Sequence, residues 1–379
     1  MSLKELLLII LLISTSPIRG VHEGLTNRRL YTSTYIFENR GEEPYMLTVD
    51  DITILLFHND SKQNIRIINL TNSIVRDYLD EDGNKLAVLD IPLTIAPNSS
   101  INFSVTYLIE TSEMPRPRID PERAGLISEI PRELIDEYTM ETGTFTTGDE
   151  GIRALALRLA ANQSTVLGMV LSLLSWMLEN ISYGSFETPR YPNETIASGR
   201  GDCDDQAILL VTMCRILGIP ALLQLGMVFN EGITGDRVSW GGHLSTYQRG
   251  VGWHGWALVY VPPWGWLPID LTLTRAREPL TLIMEAPQYG PSIVTALNVS
   301  RYDYVGDARK MREAVMAGSL YIKSYDTASE IDQNSRETPL APIIIIASMG
   351  VIALTVIILM KRGRPLRSSN IRFERHRSK

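Results

Sequence analysis

Two cysteines, Cys203 and Cys214, lie in one predicted helix, and Cys203 stands at its start, directly after a glycine-containing turn. In the first turn of a helix, unpaired backbone N–H groups and the positive end of the dipole favour a thiolate and can hold an oxyanion. Three neighbouring carboxylates, Asp202, Asp204 and Asp205, oppose that ionisation. Cys203 is therefore a candidate nucleophile that needs an imidazolium close by.

The second cysteine has a structural interpretation. Cys214 lies eleven residues further along the same helix, about 16 Å up the axis. Bridged cysteines have Cα atoms within about 7 Å of each other, so a disulfide to Cys203 is excluded. We therefore predict that Cys214, which stands among apolar residues, belongs to the core.

A predicted hairpin supplies two further groups. His254 heads its first strand, a Pro-Pro-Trp-Gly turn follows, and Asp270 ends its second strand. Antiparallel strands joined in this way bring His254 and Asp270 together. Asp270 can accept a hydrogen bond from one ring nitrogen and leave the other facing a thiol, which is the nucleophile, base and orienter arrangement. The predicted catalytic residues are Cys203, His254 and Asp270, with no cofactor.

Two possible metal sites compete with this interpretation. A site built from Cys203, His243 and His254 lacks ligands at the short spacing typical of metal sites. Asp82-Gly83-Asn84 has its glycine too early for a twelve-residue calcium loop, so a hairpin turn is favoured. We predict no metal, and a loop position for His243.

Four short motifs, in order, resemble the transglutaminase-like superfamily over about residues 150–275. They are Gly-Asp-Cys-Asp-Asp-Gln-Ala at 201–207, Arg-Ile-Leu-Gly-Ile-Pro-Ala at 215–221, His-Gly-Trp at 254–256 and Trp-Leu-Pro-Ile-Asp at 266–270. The resemblance implies a papain-related α+β fold in which Cys203, His254 and Asp270 form the triad. Two departures are Leu222, where the family usually has Arg, and a long glycine-rich loop over 229–251. Tyr183 is a candidate for framing the oxyanion site.

The chain divides by its pattern of elements. Short β-branched and aromatic runs at 31–37, 45–49, 52–57, 65–69, 85–91 and 101–109 predict a β-sandwich over 21–113, similar to that of prokaryotic exported members of the family. A connector follows over 114–150, with a helix near 131–138. The transglutaminase-like domain spans 151–290, with helices near 152–159 and 166–181, and a stalk follows over 291–339. The predicted fold class is α+β, with the Cys203 helix packed on an antiparallel sheet.

Both ends of the chain have sequence patterns typical of membrane signals. The aliphatic run at 6–13 after Lys4 predicts a signal peptide over 1–20. The uncharged stretch at 343–360, followed by basic residues, predicts a transmembrane helix over 340–360 and a cytoplasmic tail over 361–379. The body is then extracellular, anchored to the cell membrane by one helix. Its sequons are compatible with glycosylation and begin at Asn59, Asn69, Asn98, Asn102, Asn162, Asn180, Asn193 and Asn298.

The overall charge is −7, and the tail over 361–379 is basic, with eight Lys or Arg against one Glu, which leaves the body acidic. An acidic body disfavours nucleic-acid binding. Two function hypotheses remain. One is a thiol enzyme that acts on amide bonds of extracellular proteins or peptides through a thioester. The other is a non-catalytic surface module on the same fold.

Overall fold

The computed structural model describes residues 27–274 and 276–331. Seven helices lie in the described residues: α1 Arg132–Tyr138, α2 Glu150–Ala160, α3 Val166–Asn180, α4 Pro192–Ser198, α5 Cys203–Ile216, α6 Pro279–Met284 and α7 Tyr304–Ala317. The predicted helices at 131–138, 152–159 and 166–181 are α1, α2 and α3. Side-chain caps start α2 and α3, where Asp149 and Thr165 accept from first-turn N–H groups.

Eight strands lie in the first part of the chain: β1 Asn27–Asn39, β2 Tyr45–Met46, β3 Thr53–Leu56, β4 Gln63–Leu70, β5 Ile74–Leu79, β6 Lys85–Leu89, β7 Thr94–Ile95 and β8 Ser99–Thr111. The others are β9 Ser182–Tyr183, β10 Arg200–Gly201, β11 Ala221–Ser239, β12 Leu244–Val261, β13 Gly265–Ile269, β14 Ile293–Val299 and β15 Leu320–Glu330.

One curled sheet runs through both parts of the chain. Its order is β14-β11-β12-β15-β1-β8-β4, and β13 also pairs with β12. All of its pairs are antiparallel except β12 with β15. One core cluster lies between this sheet and helices α2, α3 and α5. A second lies between the sheet and the three-stranded sheet β3-β6-β5.

The predicted fold class is therefore wrong. A separate N-terminal β-sandwich followed by a second domain was expected, whereas the structure is a mixed α/β arrangement in which β1, β8 and β4 extend the sheet that carries β12. The connection is made by β15, which pairs with β1 on one side and β12 on the other.

The strand that makes this connection lies within the stalk predicted over 291–339. As far as residue 331, this segment is β14, α7 and β15. Strand β15 escapes sequence analysis because its buried face includes the polar residues Ser324 and Asp326, so the apolar alternation that marks a strand is missing. The loop predicted over 229–251 likewise extends β11 and β12 as a hairpin around a turn at Trp240–Gly242.

The predicted transmembrane helix at 340–360 is not supported. That segment, the signal peptide at 1–20 and the tail at 361–379 lie outside the described residues, and within 27–274 and 276–331 no helix has the length and hydropathy of a membrane span. Placement of the body outside the cell stays a prediction.

A buried carboxylate fastens β15 to β1. Asp326 is fully buried and accepts from the Tyr31 hydroxyl at 2.8 Å and the Ser33 hydroxyl at 2.7 Å. Burial raises the pKa of Asp326 despite these donors. The ionised form is therefore costlier in the folded protein than in the unfolded chain.

This cost predicts a pH-dependent effect of Asp326→Asn, which cannot titrate. Because the folded pKa of Asp326 is raised, the wild type loses stability relative to the variant as pH rises from about 4. Urea unfolding of both proteins at pH 4 and pH 8 measures this. A constant difference in free energy of unfolding between the two pH values would contradict the prediction.

Candidate active site

Cys203 is the first residue of α5 and is partly buried. The turn before it is tightly held, because the Gln206 side chain donates to the Gly201 carbonyl at 2.9 Å and the Asp202 N–H donates to Asp205 at 3.2 Å. A Cβ on Gly201 would lie 2.8 Å from the Asp205 Cβ. Only glycine therefore fits two residues before the cysteine.

His254 and Asp270 are in contact. The pairing of β12 with β13 sets Ala257 opposite Ile269 and so carries Asp270, the next residue, towards His254. His254 Nε2 lies 2.6 Å from Asp270 Oδ2. Both side chains are buried, and a carboxylate only accepts, so Nε2 carries the proton and Nδ1 is left as the basic nitrogen. His254 lies within β12 and not at its head, where it was expected.

The start of α5 rests on β12 next to His254. The backbone N–H of Gly255 interacts with the Cys203 thiol and lowers its pKa. A Cβ on Gly255 would lie 3.0 Å from the Asp204 Cβ and 3.2 Å from its Cα. The glycine between His254 and Trp256 therefore allows the helix to approach the strand and brings the predicted nucleophile beside the predicted base.

The tryptophan of the His-Gly-Trp motif supports His254. The ring of Trp256 is stacked on the imidazole with centroids 5.9 Å apart. Its Nε1 donates to Gln224 at 3.0 Å, and Gln224 donates to Asn298 at 2.9 Å. The side-chain oxygen of Asn298, at one of the predicted glycosylation sites, is thus bonded within the protein.

Comparisons with known proteins agree with the motifs. Residues 153–271 match the transglutaminase-like superfamily. This segment of the chain belongs to that superfamily. No curated protein matches the chain.

Two solved structures are similar to the chain, and both are provisionally named proteases. A cysteine protease from Cytophaga hutchinsonii has 15% identity and a TM-score of 0.49, over 84% of this chain and 94% of that one. A protease from Parabacteroides distasonis has 12% identity and a TM-score of 0.27, over 73% and 68%. Membership in the superfamily rests on the matched segment, residues 153–271.

The Arg-x-x-Gly-Ile-Pro-Ala motif of the transglutaminase-like domain is structural. Arg215 is buried and donates to the carbonyls of Ala221 at 2.9 Å and Met140 at 2.8 Å and to the Ser300 hydroxyl at 3.1 Å. It therefore ties the end of the cysteine helix to the start of β11. Cys214, three turns from Cys203, is fully buried in the core as predicted.

The electrostatics of Cys203 differ from the sequence expectation. Burial, followed by the charges of Asp204 and Asp202, raises its pKa well above the ordinary thiol value, and the Gly255 N–H only partly opposes this. At neutral pH the group is therefore a thiol in the free protein. Chemistry at Cys203 then requires a base to remove the proton during attack, and Nδ1 of His254 is the candidate.

The pKa of Asp270 is shifted in the opposite direction from that of Cys203. Burial favours its neutral form, but the charge and hydrogen bond of His254, together with the Leu273 N–H and the Gln288 amide, lower the pKa of Asp270 to about 2. The Thr272 and Leu273 N–H groups lie 2.9 and 3.0 Å from Oδ1. Asp270 is thus a fixed anion across the physiological range.

Two tyrosines border the site. Tyr183 is half-exposed, and burial followed by the charges of Cys203 and Asp202 raises its pKa to about 12, so its hydroxyl keeps its proton. Tyr304, in the segment predicted as a stalk, donates to Asp204 at 2.7 Å. Sequence analysis missed Tyr304 and Gln288 because both follow the family motifs and stand in no motif of their own.

The remaining candidate groups are His243 and the three aspartates beside Cys203. His243 Nδ1 lies 2.8 Å from the Leu320 carbonyl oxygen, and its ring stacks on Tyr321 at 4.2 Å, which fixes it against β15. The carboxylates of Asp202, Asp204 and Asp205 lie within 4.8 Å of one another. Asp204 accepts from Tyr304, and Asp205 accepts from the N–H groups of Arg190 and Asp202. Asp202 Oδ2 accepts from the Phe186 N–H at 3.4 Å, whereas its Oδ1 is buried with no hydrogen-bond partner among the described residues.

Asp270→Asn should lower the free energy of unfolding by about 2 kcal/mol at pH 7, since a depressed pKa is a stability contribution. That contribution is complete above the unfolded pKa of about 3.9 and is lost as pH falls through about 2. Urea unfolding of both proteins at pH 7 and pH 3 should show the difference shrinking in acid. A larger difference at pH 3 would refute the ion-pair account.

Proposed function

We propose that this protein is a thiol enzyme that acts on amide bonds of proteins or peptides through a thioester at Cys203. The observation that supports it best is the 2.6 Å contact between His254 Nε2 and Asp270, which leaves Nδ1 basic on the strand whose Gly255 N–H interacts with Cys203. A purely structural histidine has no need of an ionised acid that itself accepts five hydrogen bonds.

In this mechanism the Cys203 sulfur attacks the carbonyl carbon of the amide while Nδ1 of His254 takes the thiol proton. Transfer of the proton forms an imidazolium, which the ionised Asp270 stabilises. The negative charge on the carbonyl oxygen is held by N–H groups of the first turn of α5 and by the Tyr183 hydroxyl.

The intermediate then collapses. The C–N bond breaks, the imidazolium gives its proton to the departing nitrogen, and a thioester remains on Cys203. Water as the second nucleophile, deprotonated by Nδ1, releases an acid and makes the protein a peptidase or amidase. A primary amine instead gives a new amide and makes it a cross-linking transferase.

The reactivity of Cys203 tests the role of the base. In a Cys214→Ser background, iodoacetamide labelling of Cys203 at pH 7.5 should slow at least about tenfold in His254→Ala and several-fold in Asp270→Asn, each tenfold being about 1.4 kcal/mol of barrier. Mass spectrometry of the labelled protein gives the rates. His243→Ala is the matched control, because its imidazole contacts β15 and should leave labelling unchanged.

The non-catalytic surface module makes the opposite prediction. If Cys203 labels at the same rate with and without His254, the triad performs no proton transfer and the binding-module hypothesis is favoured. Labelling that slows equally in His243→Ala would also count against the enzyme, since it would report a general change of fold.

The second product distinguishes hydrolysis from transfer. Wild-type protein incubated with a glutamine-containing protein and a dansylated primary amine should either incorporate the dansyl group or cleave the substrate. Cys203→Ser should abolish both, and Cys214→Ser should retain at least about half of the rate, because a buried core thiol contributes only packing. Equal turnover in wild type and Cys203→Ser would exclude Cys203 as the nucleophile.

A further inference from the structure

Gln288 contacts the acid of the proposed triad. It lies in a short turn at Pro287–Tyr289, beyond the segment that matches the superfamily. Its Nε2 donates to Asp270 Oδ2 at 2.7 Å, and His254 Nε2 lies 2.6 Å from the same oxygen. Gln288 is 5% exposed and Asp270 is 1% exposed, so water competes little for this oxygen.

The orientation of the amide is determined by Asp270. Gln288 Oε1 is buried and has no hydrogen-bond partner within the part of the chain that the structure describes. A flipped amide would direct this oxygen at a carboxylate oxygen, and the two would repel. The side chain therefore leaves its acceptor unpaired, at a cost in free energy, while its donor serves Asp270.

The N-terminal part of the chain holds the backbone that carries Gln288. The buried Lys62 side chain donates to the Gln288 carbonyl, and the Met114 N–H donates to the Tyr289 carbonyl at 2.8 Å. Gln63 exchanges two hydrogen bonds with the backbone of Thr295, at 2.9 and 2.8 Å. The turn is thus fixed on a part of the fold outside the superfamily match.

We propose that Gln288 is a positioning residue that fixes Asp270 for His254, an inference that rests on the proposed function. The N–H groups of Thr272 and Leu273 and the Thr272 hydroxyl hold Oδ1, whereas among the described residues His254 and Gln288 alone bond to Oδ2. The Gln288 amide keeps Oδ2 in line with His254 Nε2 and favours the ionised carboxylate. His254 then keeps its proton on Nε2 and leaves Nδ1 as the basic nitrogen.

Gln288→Met removes the donor at similar volume, and Gln63→Met is the matched control. Gln63 is equally buried and secures the same segment at Thr295, but it does not touch Asp270. The first readout is exchange of the His254 Nε2–H proton with water by NMR, which needs no turnover. It should become at least about fivefold faster in Gln288→Met, because a buried hydrogen-bonded group loses its neighbour, and stay near the wild-type rate in Gln63→Met.

The second readout is the rate of Cys203 labelling by iodoacetamide at pH 7.5. This rate should fall about fivefold in Gln288→Met and little in Gln63→Met. Thermal unfolding of both variants checks that they fold. Unchanged proton exchange in Gln288→Met, or equal acceleration in Gln63→Met, would overturn the positioning role. Failure of the proposed function is separate: labelling would then be independent of His254, while exchange of its proton would still respond to Gln288.

Discussion

Strand β12 forms hydrogen-bond ladders on which both the fold and the site depend. Its first half pairs with β15, and through β15 with β1, while its second half pairs with β13. Strand β11 accompanies it along both halves. Since every strand pair fixes register, the ladder that places His254 also carries Asp270 towards it and ties the N-terminal strands to the same sheet.

The buried carboxylates around Cys203 have opposite effects on the site. Asp204 and Asp202 raise the pKa of the thiol, whereas Asp270 is kept ionised at a pKa of about 2 by His254 and its other donors. A thiol that stays protonated at rest and an imidazole with a permanent anion behind it suit proton transfer during attack better than a preformed ion pair. Because the thiolate is the nucleophilic form, this arrangement also limits chance alkylation of Cys203 in the free protein.

The N-terminal part of the chain also holds in place the segment that carries Gln288. The turn containing Asp82 and Asn84 docks on the end of β14 and the residues that follow. Asn84 exchanges two hydrogen bonds with Asn298 of β14, and Asp82 accepts from the Arg301 N–H at 2.8 Å. Together with Lys62 and Gln63, these contacts fix the segment from Gln288 to Arg301. Asn298 in turn bonds Gln224 and so reaches Trp256 beside His254.

The sequence by itself determined the local features. Helix periodicity and caps located α1, α2, α3 and α5, and four motifs in order identified Cys203, His254 and Asp270 as candidates. Only the tertiary structure decided that β15 joins the two parts of the sheet, that Gly255 lies against the cysteine helix, and that Gln288 and Tyr304 reach the site. The physical reason is that periodicity and capping act between residues a few positions apart, whereas strand order and buried polar contacts such as those of Asp326 join residues hundreds of positions apart and leave no repeating pattern along the chain.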